Sequence, residues 1–141
     1  MNKKFWTGFV AVYVTIAVVE FIVNMVLMSA AYMETANLWR PMAEMKIWLF
    51  YVIYLFVAFF VTLLFSKGYE GKGVLEGVRF GFYIGMFMAV PMAYGTYASM
   101  PIPYSFALQW FIYGLIEYII VGVVLALVYG KQAMVTPVPK T

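Results

Sequence analysis

Four stretches of this chain, at residues 5–28, 46–66, 74–99 and 104–129, are apolar almost throughout. A helix needs about 20 such residues to cross the hydrocarbon of a bilayer, and each stretch reaches that length. Composition leaves little room for a soluble core. Of the 141 residues, 66% are hydrophobic and 11% charged, against roughly 25% charged in soluble domains. Too few charges remain to cover a water-facing surface. The length predicts one domain: an all-α membrane protein, folded over residues 1–130 as an antiparallel bundle of four transmembrane helices. Residues 131–141 form a polar, proline-spaced tail that cannot bury a core, and it is expected in the cytoplasm.

Charge placement sets the expected orientation. Lys3, Lys4, Lys67, Lys72, Arg79, Lys131 and Lys140 fall on one side of such a bundle, with Arg40 and Lys46 on the other. Cytoplasmic loops collect Lys and Arg, so both termini and the loop after the second span are expected inside. A positive start before an apolar run also opens signal peptides, whose apolar core is roughly 7–15 residues; the longer run here predicts an uncleaved first helix. Pro41 suits a first helical turn and Glu44 the positive end of a helix dipole, so the second span is expected to start at Pro41 or Lys46. Gly68 reads as its stop. Pro91 predicts a kink in the third span and frees the carbonyl of Phe87.

That third span carries a second pattern. Gly73, Gly77, Gly81 and Gly85, continued by Ala89 and Ala93, recur every four residues. Positions four apart on a helix share a face. In water each helical glycine costs about 1 kcal/mol against alanine, whereas in lipid small residues let a second backbone approach closely. The six residues predict a helix-packing groove, a glycine zipper, against which the other helices or a second copy are packed.

Absences narrow the function. With no cysteine and no histidine, the chain has no thiolate or imidazole for a zinc site, an iron–sulfur cluster or haem. Ser–His and Cys–His catalytic pairs are excluded as well, so the expectation is no enzyme, no metal and no cofactor. Net charge is +3, yet no basic face runs along any segment, so no nucleic-acid partner is expected. Residues 71–77, GKGVLEG, fit neither GxGxxG nor the P-loop spacing. The many tyrosines, phenylalanines and methionines fall at helical spacing. They read as packing, with Met filling irregular gaps, in preference to a pigment, quinone or sterol pocket.

Two carboxylates stand apart. Glu20 is read as lying near the middle of the first span and Glu117 near the middle of the fourth, where a charge is costly and such residues turn toward protein or water. Asn24 is one turn beyond Glu20, and Tyr113 one turn before Glu117. Both faces are expected inward, with the carboxyls approaching one another at mid-depth and at least one of them protonated. Two roles fit these four residues: a hydrogen-bonded clamp between spans one and four, or a proton or cation site. At the cytoplasmic side Lys67, Lys72, Glu76 and Arg79 are expected to contact lipid headgroups or a partner, with Glu76 and Arg79 pairing three residues apart.

The segments WRPMAEM (39–45) and KGYEGKGVLEGVRFG (67–81) resemble a family of small bacterial four-span proteins with no assigned activity. The resemblance implies a bacterial inner-membrane location and supplies no mechanism. Small multidrug-resistance transporters share the size and a first-span glutamate, but the strong charge bias here departs from their often balanced loops. Two functions are carried forward. One is a non-catalytic accessory or scaffold subunit, joined to other membrane subunits or to itself through the third span. The other is a small carboxylate-dependent, proton-coupled transporter using Glu20 and Glu117.

Overall fold

The computed structural model describes residues 1–130, in which every regular element is helical. Helix α1 (Lys3–Phe21) passes through a π-helical turn, Ile22–Leu27, into the short α2 (Ser29–Glu34). Two 3-10 turns, Ala36–Leu38 and Met42–Glu44, lead to α3 (Ile47–Gly68), then α4 (Val74–Ser99) and α5 (Tyr104–Tyr129). Four helical stretches are long and apolar enough to cross a membrane: Lys3–Leu27, Ile47–Gly68, Val74–Ser99 and Tyr104–Tyr129. The tail expected at 131–141 lies outside the described residues.

Local chemistry sets several of the boundaries. Asn2 Oδ1 accepts from the Phe5 N–H at 3.0 Å, satisfying one of the amides that a helix start leaves without a partner. Pro41 does not open α3. It precedes the 3-10 turn to which Glu44 belongs, and Lys46 stands at the start of the helix. Gly68 is the last residue of α3 and not a stop beyond it, because the chain leaves through Tyr69 in extended backbone. The left-handed conformations come later, at Gly71 (φ 77°) and Gly73 (φ 91°), where a β-carbon would be strained. Pro91 sits within α4 without ending it. Both Pro91 and Phe87 are exposed, so the carbonyl freed there lies on the outward face, away from the carboxyls.

The tightest pairing joins α4 to α5, while α1 packs on both α3 and α5. The main core collects Val12 and Ile16 of α1, Ala58, Val61 and Phe65 of α3, and Val121, Leu125 and Ala126 of α5. Below it the start of α1 meets the ends of α3 and α5. Lys4 Nζ donates to the Tyr129 carbonyl at 2.8 Å, a favourable place for a cation at a helix C-terminus. The Tyr69 hydroxyl donates to the Gly130 carbonyl beside it. At the far end Met28, Ile102, Phe106 and Ala107 form a second cluster, with Trp39 stacked on Phe106 at 5.6 Å between ring centres.

Helix α3 joins this core only from Tyr54 onward. From Ile47 to Ile53 every residue is exposed, including Trp48 at 65%. Val10, Val14, Val18 and Phe21 give α1 an apolar outer face of the same kind. Apolar exteriors this extensive require lipid or another protein against them.

Candidate functional site: a carboxyl pair between α1 and α5

The small residues of α4 come first, because they set how closely α5 approaches. Gly77, Gly81, Gly85, Ala89 and Ala93 are all buried, and what covers them is α5 of the same chain. A β-carbon at Gly77 would collide with the Gly122 carbonyl and lie 2.6 Å from the Ala126 β-carbon. At Gly81 it would collide with the Tyr118 carbonyl, and at Gly85 it would sit 2.9 Å from Leu115 Cδ1. Gly73 precedes α4 as its cap, and its positive φ by itself calls for glycine.

Close approach on one side of α5 leaves its other side to α1. There Glu117, 4% exposed, lies within electrostatic range of the Glu20 carboxyl. Tyr54 of α3 and Tyr118 of α5 lie within electrostatic range of both carboxyls. On the Glu20 side, Asn24 Nδ2 donates to Glu20 Oε2 at 2.6 Å and to the Glu20 main-chain carbonyl at 2.9 Å. Asn24 Oδ1 accepts from the Tyr32 hydroxyl at 2.8 Å, and that hydroxyl oxygen accepts from Trp110 Nε1 at 3.2 Å. A chain of hydrogen bonds thus runs from α5 through α2 and the π-helical turn to α1.

The structure brings Glu20, Asn24 and Glu117 together and leaves Tyr113 out. Tyr113 packs against the Met28–Phe106 cluster, and among the described residues it makes no hydrogen bond. The hydroxyl comes instead from Tyr32, which reaches back from beyond the end of the first span. Burial pushes its phenol up to about 12, so it keeps its proton and remains a donor at neutral pH. No spacing rule marks Tyr32 in the sequence, because its place depends on the π-helical turn and on Trp110, 78 residues away.

The cytoplasmic-loop residues separate into two places. Lys67 borders a cleft of about 350 Å³ with Met1, Asn2 and Tyr129. Glu76 and Arg79 border another of about 230 Å³ beside Phe80 and Tyr83. Glu76 does not pair with Arg79. Its carboxylate accepts from the Glu70 N–H at 2.6 Å and the Lys72 N–H at 2.7 Å, because the glycine-wound loop presents two unpaired amides at the positive end of α4. The ion pair found among the described residues is Lys72 with Glu70. Its hydrogen bond and charge hold the Glu70 carboxyl below the usual carboxylate range.

Among the described residues no three metal-binding side chains converge. Four long apolar helices, apolar outer faces and a buried polar pair have the character of a multi-pass α-helical membrane protein. Compared with family models, curated proteins and solved structures, the chain matches none of them.

Proposed function

We propose that this is a small proton-coupled carrier of the bacterial inner membrane, in which the Glu20–Glu117 pair takes up and releases one proton. The bundle is antiparallel, with both termini and the 69–73 loop in the cytoplasm. The contact between the start of α1 and the end of α5 supports the first point, and the Lys/Arg bias supports the second. The observation that carries the functional reading is the burial of Glu117, 4% exposed, beside a second carboxyl, Glu20, that Asn24 holds in place. Two neighbouring carboxyls in a low-dielectric interior do not both ionise, so the pair keeps a proton until its surroundings change. The unpacked first half of α3, which ends beside Tyr54, is the element free to make that change.

A second reading, the accessory subunit, is favoured by the same bare half-helix, which is apolar on every side and fits another membrane protein or a second copy. The α4 groove does not serve that purpose, since α5 already fills it. Glu117→Gln separates the two, because it keeps volume, donor and acceptor but cannot ionise. For the carrier, the purified variant stays folded while proton uptake after a pH jump in vesicles disappears. For the subunit, the variant behaves as the parent and both are extracted in mild detergent as one large stoichiometric complex.

A further inference from the structure

The carboxyl pair is asymmetric, and the direction of the hydrogen bonds leading to it distinguishes its two members. That direction follows without seeing hydrogens, because both ends of the chain have a single function: an indole N–H only donates, and a main-chain carbonyl only accepts. The Asn24 atom 2.9 Å from the Glu20 carbonyl oxygen is therefore its NH₂ group, and the same group lies 2.6 Å from Glu20 Oε2. Oδ1 of Asn24 then faces the Tyr32 hydroxyl at 2.8 Å and must accept from it. Tyr32, having donated, accepts from Trp110 at 3.2 Å. Every bond points toward Glu20.

We propose that this network holds Glu20 as the standing carboxylate of the pair and makes Glu117 the residue that carries and releases the proton. Asn24, Tyr32 and Trp110 are then positioning residues. The inference rests on the proton-pair reading above. A donor aimed at a carboxylate is shorter and roughly twice as strong as a neutral one, and the 2.6 Å bond from Asn24 fits that description. Glu117 has no counterpart to Asn24 among the described residues. The titratable groups that face it are Glu20 from α1, Tyr54 from α3 and Tyr118 on its own helix. Tyr32 of α2 acts on the pair through Asn24, and α4 meets the opposite side of α5 along Gly77, Gly81 and Gly85. Release is then one event: the Glu117 O–H breaks, the proton leaves to solvent, and Glu20 stays anionic before and after.

Infrared spectroscopy of the protein in lipid tests this, because a protonated carboxyl has its own carbonyl band and the water-exposed glutamates are ionised at neutral pH. The parent is expected to show the band at neutral pH, Glu117→Gln to lose it and Glu20→Gln to keep it. Adding Asn24→Leu to Glu117→Gln is expected to restore a band, now from Glu20, since its donor is gone. No band in the parent sinks the proton-pair reading itself. A band lost in Glu20→Gln and kept in Glu117→Gln leaves that reading standing and overturns the assignment. A double variant that stays without a band removes Asn24 from the role given to it. As a check that needs no variant, dicyclohexylcarbodiimide, which attacks protonated carboxyls, is expected to label Glu117 of the parent about tenfold or more over Glu20, the ratio that a hydrogen bond to a charged group implies. Equal labelling overturns the assignment.

Discussion

Glycines 77 and 95 lie on the same helix, and the structure assigns them opposite responses to one added methyl. At Gly77 the new β-carbon meets the Gly122 carbonyl and lies 2.8 Å from the Gly122 carbonyl carbon; at Gly95 nothing stands within 4 Å. The Gly77 obstacle is main chain on a neighbouring helix, so no rotamer change relieves it and α4 must move off α5. Overpacking of this kind costs about 1–3 kcal/mol, and backbone on both sides argues for the upper end. Alanine returns at most about 1 kcal/mol of helix propensity, leaving Gly77→Ala roughly 2 kcal/mol less stable. Gly95→Ala keeps the propensity gain without the collision. The two variants should therefore differ by about 3 kcal/mol, or two orders of magnitude in the unfolding constant. Reversible unfolding in mixed detergent micelles, followed by far-UV circular dichroism, measures the difference. Equal stability for the two would mean that α4 and α5 do not touch along this face, and the account of how α5 is held would fall with it.

Three further outcomes follow from the same contacts. Tyr32→Phe removes the donor to Asn24 and the acceptor of Trp110, at a cost of about 1–3 kcal/mol for the groups left unpaired; thermal unfolding and the Trp110 emission maximum should both shift. Glu76→Ala frees the amides of Glu70 and Lys72, and their hydrogen exchange should accelerate while the exchange of α4 beyond its first turn stays as in the parent. Neutralising Lys72 and Arg79 leaves five positive residues facing two, so protease-mapped orientation should hold. Binding to vesicles containing anionic lipid should weaken, and unchanged binding would take this loop out of headgroup contact.

Hydropathy carried most of the fold, because helices in lipid need length and apolarity before anything else, and four such helices are present. The glycine period pointed to a face, and the partner on that face was also written in the chain as Gly122. The site was legible only in part. Glu20 and Glu117 stand out by the cost of carboxyls in hydrocarbon, and Asn24 by its place one turn on. Tyr113 satisfies the same one-turn rule yet packs on the Met28–Phe106 cluster, since the rule sees a helix and not what reaches it from outside. The π-helical turn leaves no mark in hydropathy, as it shifts backbone hydrogen bonds without changing which residues are apolar. Glu76 shows a related failure. Helical spacing offered Arg79, but loop amides freed by Gly71 and Gly73 were nearer, and no helix-based rule counts them.

The bond from Lys4 to the end of α5 has a consequence for how the molecule is made. Glu20 enters the membrane early in synthesis, and Glu117 follows 97 residues later. At the roughly 5–20 residues per second of translation, the first helix waits about 5–20 s for its counterpart. During that interval Asn24 and Tyr32, both close behind Glu20 in the chain, are the partners at hand. The groove of α4 is also empty until α5 arrives. The fourth span closes both halves of the bundle, so a chain made only as far as residue 103 presents an unmatched carboxyl and a bare glycine face together.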